Sequence, residues 1–190
     1  MTPYGTVHLV TAFLAIGSGA VVMRLPKGTR WHRTFGHLYG MSMLGVVATS
    51  FVMFGLTGSF TPFHLAAIIA GVTLVAGLYT VLARRPRKDW IEAHATWMAW
   101  SYVGLMAAFV AESMTRFLMP LAQDFLQGNE LWGAFWTAVA VGSFGTMAGG
   151  AWLIRKWLPA SIAATPEAIR RERHTLRGLD ELGADATSGD

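Results

Sequence analysis

Hydrophobic residues occur in long continuous runs along the chain, and short segments between the runs collect most of the charged residues. A helix of about 20 apolar residues is long enough to cross the hydrocarbon core of a bilayer. Five runs reach that length, and each predicts a transmembrane helix. They are Tyr4–Met23, Phe35–Leu56, Phe63–Ala83, Ala93–Arg116 and Leu131–Ile154. The pattern therefore predicts an all-α fold, a polytopic membrane bundle of five helices.

The runs also divide the chain into two parts, a membrane domain over residues 1–158 and a cytoplasmic tail over residues 159–190. Four predicted helices within residues 4–116 carry His residues and form the core, and the fifth, over residues 131–158, has none. In the tail, Thr165, Pro166 and Glu167 are typical of a helix start. We expect a short helix there, followed by a disordered end.

Composition agrees with a membrane protein and excludes several kinds of site. Charged residues make up 14% of the chain, against roughly 25% in an average soluble domain. The sequence contains no Cys. Disulfides, thiolate-held zinc or iron–sulfur clusters and cysteine nucleophiles are therefore excluded.

The placement of Lys and Arg predicts the orientation. All of the 15 basic residues except Arg116 lie after the first, third or fifth predicted helix. Cytoplasmic loops of membrane proteins collect Lys and Arg. We therefore expect the N-terminus outside, the C-terminus in the cytoplasm, and a multi-pass protein of the bacterial cytoplasmic (inner) membrane. The basic residues then determine topology, so the predicted partner is the lipid bilayer, with a possible homo-oligomer, and not nucleic acid.

Five His residues lie in or beside the predicted helices, and their depths form a pattern. His8 and His64 are near the starts of the first and third helices, whereas His32, His37 and His94 are near the starts of the second and fourth. Because the chain alternates direction, these sets fall into an outer and an inner layer, about 20 Å apart at 1.5 Å per residue. In a compact bundle each layer joins diagonal helices, so imidazoles can meet across the centre.

Two opposed neutral imidazoles are the ligands that a b-type haem uses. The pattern thus predicts two haem b sites, His8 with His64 in the outer layer and His32 with His94 in the inner layer. Such a protein would transfer electrons across the membrane, with a quinone or another redox partner. This makes it a possible membrane oxidoreductase component.

The inner layer has two candidates on the second helix. His32 shares a helical face with Gly36 and Gly40, whereas His37 lies about 140° away at 100° per residue. The spacing therefore favours His32. The pair Gly36 and Gly40, like Gly145 and Gly149, is read first as a helix-packing face, and otherwise as room for a flat ligand.

Two alternatives to haem stay open. The five His residues are also candidate ligands for a Zn or Cu ion, and the inner three lie near Glu92 and Asp89. In the other alternative, a membrane scaffold without catalysis, each His forms only hydrogen bonds near the interface. His174, in the tail, is interpreted as a surface residue.

Glu112 and Arg116 lie near the outer end of the fourth helix, four residues apart. That spacing and order favour an ion pair on one helical face, which would hold the helix end at the interface. The catalytic alternative assigns proton transfer to Glu112 and neutralisation of a haem propionate to Arg116.

The loop Lys27–Gly36, which contains the element His32-Arg33-x-x-Gly36, is similar to a bacterial membrane-protein family catalogued as a domain of unknown function. His8, the start of the third helix at His64, and His94 ahead of Met98 extend the resemblance over about Tyr4–Arg116. It implies a membrane protein and assigns no activity. Separately, the layered His pattern resembles diheme transmembrane cytochromes of the b-561 type, which place one ligand on each of four consecutive helices. Here the His residues lie nearer the helix ends.

Overall fold

A computed structural model describes residues 2–52, 60–167, 169, 170, 172 and 175. These residues form helices and turns, and no strand occurs among them. In order, the elements are α1 (Pro3–Arg24), α2 (Arg30–Ser50), α3 (Pro62–Ala83), α4 (Trp90–Ser113), a π-helical turn (Met114–Leu118), α5 (Met119–Ala122) and α6 (Gly128–Ala163). The all-α class is confirmed for the described part of the chain.

Four helical segments are long and apolar enough to cross a membrane. They are Pro3–Arg24, Pro62–Ala83, Trp90–Ala122 and Gly128–Ala163. The 21-residue helix α2 is not among them, since its first turns carry two Arg and two His residues. The count of five spanning helices and the orientation of the termini therefore stay predictions. The predicted end of the second span, Leu56, lies outside the described residues.

Helices α1 to α4 form an up-and-down bundle in which α1 packs on α2, α2 on α3, α3 on α4, and α4 on α1. In the described residues, α1 and α3 stand on one diagonal of this bundle and α2 and α4 on the other. This diagonal relation agrees with the arrangement inferred from chain order. One end holds the starts of α1 and α3 and is named here the His8 end; the opposite end, with Arg24, Lys27 and Arg30, is named the basic end.

The centre of the bundle is filled by side chains from all four helices. Ala15 and Leu74 are completely buried, and Tyr39, Met43 and Leu105 pack with them. The Tyr39 hydroxyl lies 2.9 Å from Oγ of Ser101, and this hydrogen bond joins α2 to α4 across the diagonal. Because lipid is as apolar as these side chains, close packing and interhelical hydrogen bonds hold the helices together.

Glycines create the closest helix contacts. A Cβ atom added at Gly19, Gly77 or Gly150 would lie within 3 Å of a side chain of a neighbouring helix. At Gly145 and Gly149 the same atom would meet nothing within 4 Å. The packing role predicted for this pair is therefore wrong within the described structure, because α6 turns its other face towards α4.

Two helices continue beyond their predicted ends. The helix that begins as α4 passes through the π-helical turn into α5 and ends at Ala122, six residues past Arg116. Helix α6 has 36 residues, a length of about 54 Å at 1.5 Å per residue, against roughly 30 Å for the hydrocarbon core. It includes Pro159 and ends at Ala163, so the predicted boundary after residue 158 falls inside it.

The described part of the tail folds back onto the loop between α1 and α2. Ile169 packs against Gly28, because a Cβ atom added at Gly28 would lie 2.8 Å from Cδ1 of Ile169. The amide of Arg30 donates to Oε1 of Glu172 at 2.7 Å. Thr165 is buried, and its hydroxyl donates to the Ser161 carbonyl at 3.1 Å. His174 and the predicted disordered end, residues 183–190, lie outside the described residues.

Candidate functional site

His8 is the centre of a polar cluster that joins three helices at the His8 end. Its Nδ1 lies 2.8 Å from Oγ1 of Thr49 on α2, and its Nε2 lies 3.6 Å from Oε2 of Glu112 on α4. The Thr49 hydroxyl donates to the Gly45 carbonyl at 2.7 Å. Since a hydroxyl has one hydrogen, the Thr49 oxygen accepts from His8, and Nδ1 of His8 carries a proton. The Nε2 atom of His8 faces the Glu112 carboxylate.

Glu112 is shared between two basic groups. Its Oε1 accepts from Nε of Arg116 at 3.1 Å and from Nη2 at 2.7 Å, while Oε2 faces His8. The ion pair predicted from the spacing of four is therefore present, and it includes His8 as a third member. The exposed fraction rises from 11% for the His8 side chain to 32% for Glu112 and 43% for Arg116. The cluster thus extends from the bundle interior to the surface.

Arg116 lies in the π-helical turn that follows α4. Such turns interrupt the regular hydrogen-bond ladder and are frequent at functional sites. Here the Arg116 side chain still reaches back one turn to Glu112. The local change in helix type therefore leaves the predicted pair intact.

His64 has a structural role at the start of α3. Its Nδ1 accepts from the amide of Thr61, the N-cap residue, at 3.1 Å. Its ring stacks on Phe60, with centroids 5.0 Å apart, and it is only 3% exposed. Capping satisfies an amide that the first turn of a helix leaves without a partner. Because Nδ1 accepts, the proton of a neutral His64 resides on Nε2.

The outer haem site predicted from His8 and His64 stays a prediction. An axial ligand presents a nitrogen lone pair to the iron. Nδ1 of His8 donates to Thr49, its Nε2 faces a carboxylate, and Nδ1 of His64 is occupied by the cap. In this arrangement His8 would have to give up its contacts, and His64 the proton on Nε2, before either bound iron.

His32 and His94 lie together at the basic end, on the diagonal helices α2 and α4. Nδ1 of His94 donates to the Gly77 carbonyl at 2.8 Å, which leaves the Nε2 lone pair available. Nδ1 of His32 is buried and has no hydrogen-bond partner within the described residues. The basic end therefore holds two imidazoles, one from each of the diagonal helices α2 and α4.

Lys27 lies beside this pair, in the loop between α1 and α2. Its Nζ donates to the carbonyls of Val22 and Met23, at 2.9 and 3.0 Å, and so caps the last turn of α1. Burial lowers the pKa of the Lys27 ammonium. Its positive charge also acts on both His32 and His94. Sequence reasoning did not include Lys27 in the site, although its position five residues before His32 was a usable signal.

The structure places His37 away from the pair, on the exposed surface of α2. Its Nδ1 donates to the Arg33 carbonyl of the same helix at 2.7 Å. Glu92 and Asp89, the predicted neighbours of an inner metal, form no metal-binding group with His residues in the part of the chain that the structure describes. There is no support here for a Zn or Cu site of three or more ligands.

A family model described as "Predicted membrane protein (DUF2306)" matches residues 5–146. This chain belongs to that family. The match confirms the predicted resemblance to a membrane-protein family of unknown function, and it contains all the helical His residues and the Glu112–Arg116 pair. No curated protein and no solved structure matches the chain. The description of the DUF2306 family assigns no activity.

Thr49, Tyr39 and Ser101 were not identified from the sequence. Each is a hydroxyl-bearing residue in a largely apolar helix, which is a weak signal by itself, because such side chains also bond to their own helix backbone. Their partners lie on helices distant in sequence, 41 residues away for Thr49 and 62 for the Tyr39–Ser101 pair.

Proposed function

We propose that this protein is a membrane electron carrier that holds one b-type haem at the basic end of its bundle, between His32 and His94. The single observation that supports this is the presence of two available imidazole nitrogens on the diagonal helices, Nδ1 of His32 and Nε2 of His94. When bound, the haem supplies reversible one-electron transfer.

The neighbouring groups would orient the ligands. The bond from Nδ1 of His94 to the Gly77 carbonyl fixes the tautomer and the ring plane, and it increases the basicity of Nε2. Gly36 lies one turn after His32, and a Cβ added there would meet nothing within 4 Å. This open space beside His32 favours a flat ligand.

The proposed setting is the bacterial cytoplasmic membrane, with α2 as a fifth spanning helix. The basic end would face the cytoplasm because Lys and Arg collect in cytoplasmic loops. The electron donor or acceptor would be a quinone or a soluble redox protein. At the opposite end, the Glu112 carboxylate would balance the charge of Arg116 and contact His8, and so connect α1 to α4.

The test is the spectrum of the purified protein after expression with haem supplied. We expect a Soret band, and an α-band in the reduced-minus-oxidised spectrum of the wild type. His32→Gln and His94→Gln should each remove these bands. His37→Gln is the matched control, since His37 is exposed on the same helix as His32, and it should keep them.

A colourless wild type would overturn the proposal. Loss of the bands in His8→Gln but not in His94→Gln would overturn the assignment to the basic end. Elemental analysis of the same sample adds a separate readout, because Zn or Cu in stoichiometric amount without iron would support the metal-binding alternative.

A further inference from the structure

A cavity of about 390 Å³ lies between the first turn of α4 and the last turns of α6. Its lining includes Glu92, Ile154, Arg155, Leu158, Pro159 and Ile162. It is separate from the His32–His94 pair, although α4 contributes to both. Its volume is within the range of roughly 300–1,000 Å³ that small-molecule sites occupy.

The lining includes an acidic residue, a basic residue and a proline that interrupts the hydrogen-bond ladder of α6. The side chains of Glu92 and Arg155 are exposed and form no ion pair with each other among the described residues. Pro159 lies inside α6 and has no N–H. The carbonyl of Arg155 therefore lacks the partner that residue i+4 normally supplies in a helix. The cavity thus offers a cationic donor on Arg155 and an acceptor on Glu92, and the Arg155 carbonyl, which Pro159 cannot bond, is a candidate second acceptor.

The remaining lining is an apolar stripe along α6. Ile154, Leu158 and Ile162 recur every four residues and therefore share one helical face. Two neighbouring Trp residues indicate the depth of the cavity in the membrane. The Lys156 ammonium lies 4.8 Å from the Trp152 ring centroid and 5.6 Å from that of Trp157. Trp residues concentrate where the hydrocarbon core meets the headgroups.

We propose that this cavity binds the headgroup of an aminophospholipid, of the phosphatidylethanolamine type. The phosphate pairs with the Arg155 guanidinium, which suits phosphate oxygens geometrically. The primary ammonium donates to the Glu92 carboxylate and to the Arg155 carbonyl. An acyl chain lies along the apolar stripe. A choline headgroup has no N–H and leaves both acceptors without a donor, so the site discriminates between the two lipids.

Native mass spectrometry of the full-length protein in detergent tests this directly. Phosphatidylethanolamine and phosphatidylcholine with identical acyl chains are added in equal amounts. We expect the wild type to retain the ethanolamine lipid about tenfold more, since a hydrogen bond to a charged group contributes about one such factor. Glu92→Gln and Arg155→Gln should each bring the ratio close to one. Lys156→Gln, next to the cavity but not in its lining, should leave the ratio unchanged.

Equal retention of the two lipids by the wild type would overturn the proposal, as would an unchanged ratio in Glu92→Gln. A third arm uses phosphatidylglycerol, which has a phosphate but no ammonium. If it binds as well as phosphatidylethanolamine, the cavity recognises phosphate alone and the assignment of the ammonium is wrong. Thermal unfolding of each variant shows whether the fold is retained. The result is independent of haem binding, because none of these measurements uses the pigment.

Discussion

The contact between α4 and α6 at Gly150 allows a sharp test of the packing, with a control at the adjacent residue. A Cβ at Gly150 would lie 2.5 Å from both methyl carbons of Val103 and 3.1 Å from its Cβ. At Gly149 the added atom would meet nothing within 4 Å. The substitutions Gly150→Ala and Gly149→Ala therefore change the same helix by the same atom, with and without a clash.

The size of the destabilisation by Gly150→Ala depends on how far the Val103 side chain can move. A β-branched side chain in a helix has essentially one rotamer, so relief requires the two helices to separate by about 1 Å, and overpacking of this kind costs about 1–3 kcal/mol. Replacing Gly by Ala in a helix gains up to about 1 kcal/mol in both variants. The difference between the free energies of unfolding of the two variants therefore measures the cost of the clash alone. At about 2–4 °C per kcal/mol for a chain of this size, Gly150→Ala should unfold roughly 2–12 °C below Gly149→Ala.

The assay is thermal unfolding in detergent, followed by the intrinsic fluorescence of the Trp residues. Val103→Ala, introduced into the Gly150→Ala protein, removes both clashing methyl carbons. The double variant should therefore be more stable than the sum of the two single effects predicts. Equal unfolding temperatures for Gly150→Ala and Gly149→Ala, or strict additivity in the double variant, would show that α4 and α6 do not pack at this point.

Three further predictions concern other parts of the structure. Leu74→Ala should lower the free energy of unfolding by an amount at the low end of the usual 2–5 kcal/mol, and with it the unfolding temperature, because Leu74 is fully buried. Leu82→Ala, on the same helix and 82% exposed, should change the unfolding temperature little. Equal effects of the two substitutions would contradict the assignment of Leu74 to the core. Glu112→Gln should lower the unfolding temperature and reduce its dependence on salt, since it removes the carboxylate that pairs with Arg116 and faces His8; an unchanged salt dependence would argue against this pair. Gly28→Ala should expose the C-terminal segment to trypsin faster than Gly128→Ala does, since both have positive φ but only the former clashes with that segment; identical cleavage rates would refute the docking of the tail.

The sequence was sufficient to predict the helical class, the alternating direction of the helices and the end of the bundle at which each His lies. These features follow from long apolar runs and from the short connections between them, which force neighbours to be antiparallel. The diagonal placement of α2 and α4 follows from the same constraint. The pair Glu112 and Arg116 was also predictable, because its geometry is local to one helix.

Details that depend on helix rotation were not predictable from the sequence. Spacing of four identifies a glycine face but not the neighbour that meets it, so Gly145 and Gly149 were assigned to packing while Gly150 makes the contact. The partners of His8 and His64 likewise depend on how far each helix is turned. The continuation of α6 through Pro159 was missed because proline usually ends or kinks a helix.

The hydrogen bond between Tyr39 and Ser101 also bears on how this molecule tolerates change over evolution. Both side chains are almost inaccessible, with Tyr39 2% and Ser101 0% exposed. Neither hydroxyl has another hydrogen-bond partner in hydrocarbon, so an apolar substitution at one position leaves the hydroxyl at the other without a partner. Apolar substitution is then accessible only as a coordinated double step, and related chains should vary at these two sites together. The surrounding aliphatic positions, which need only fill space, are free to drift one at a time.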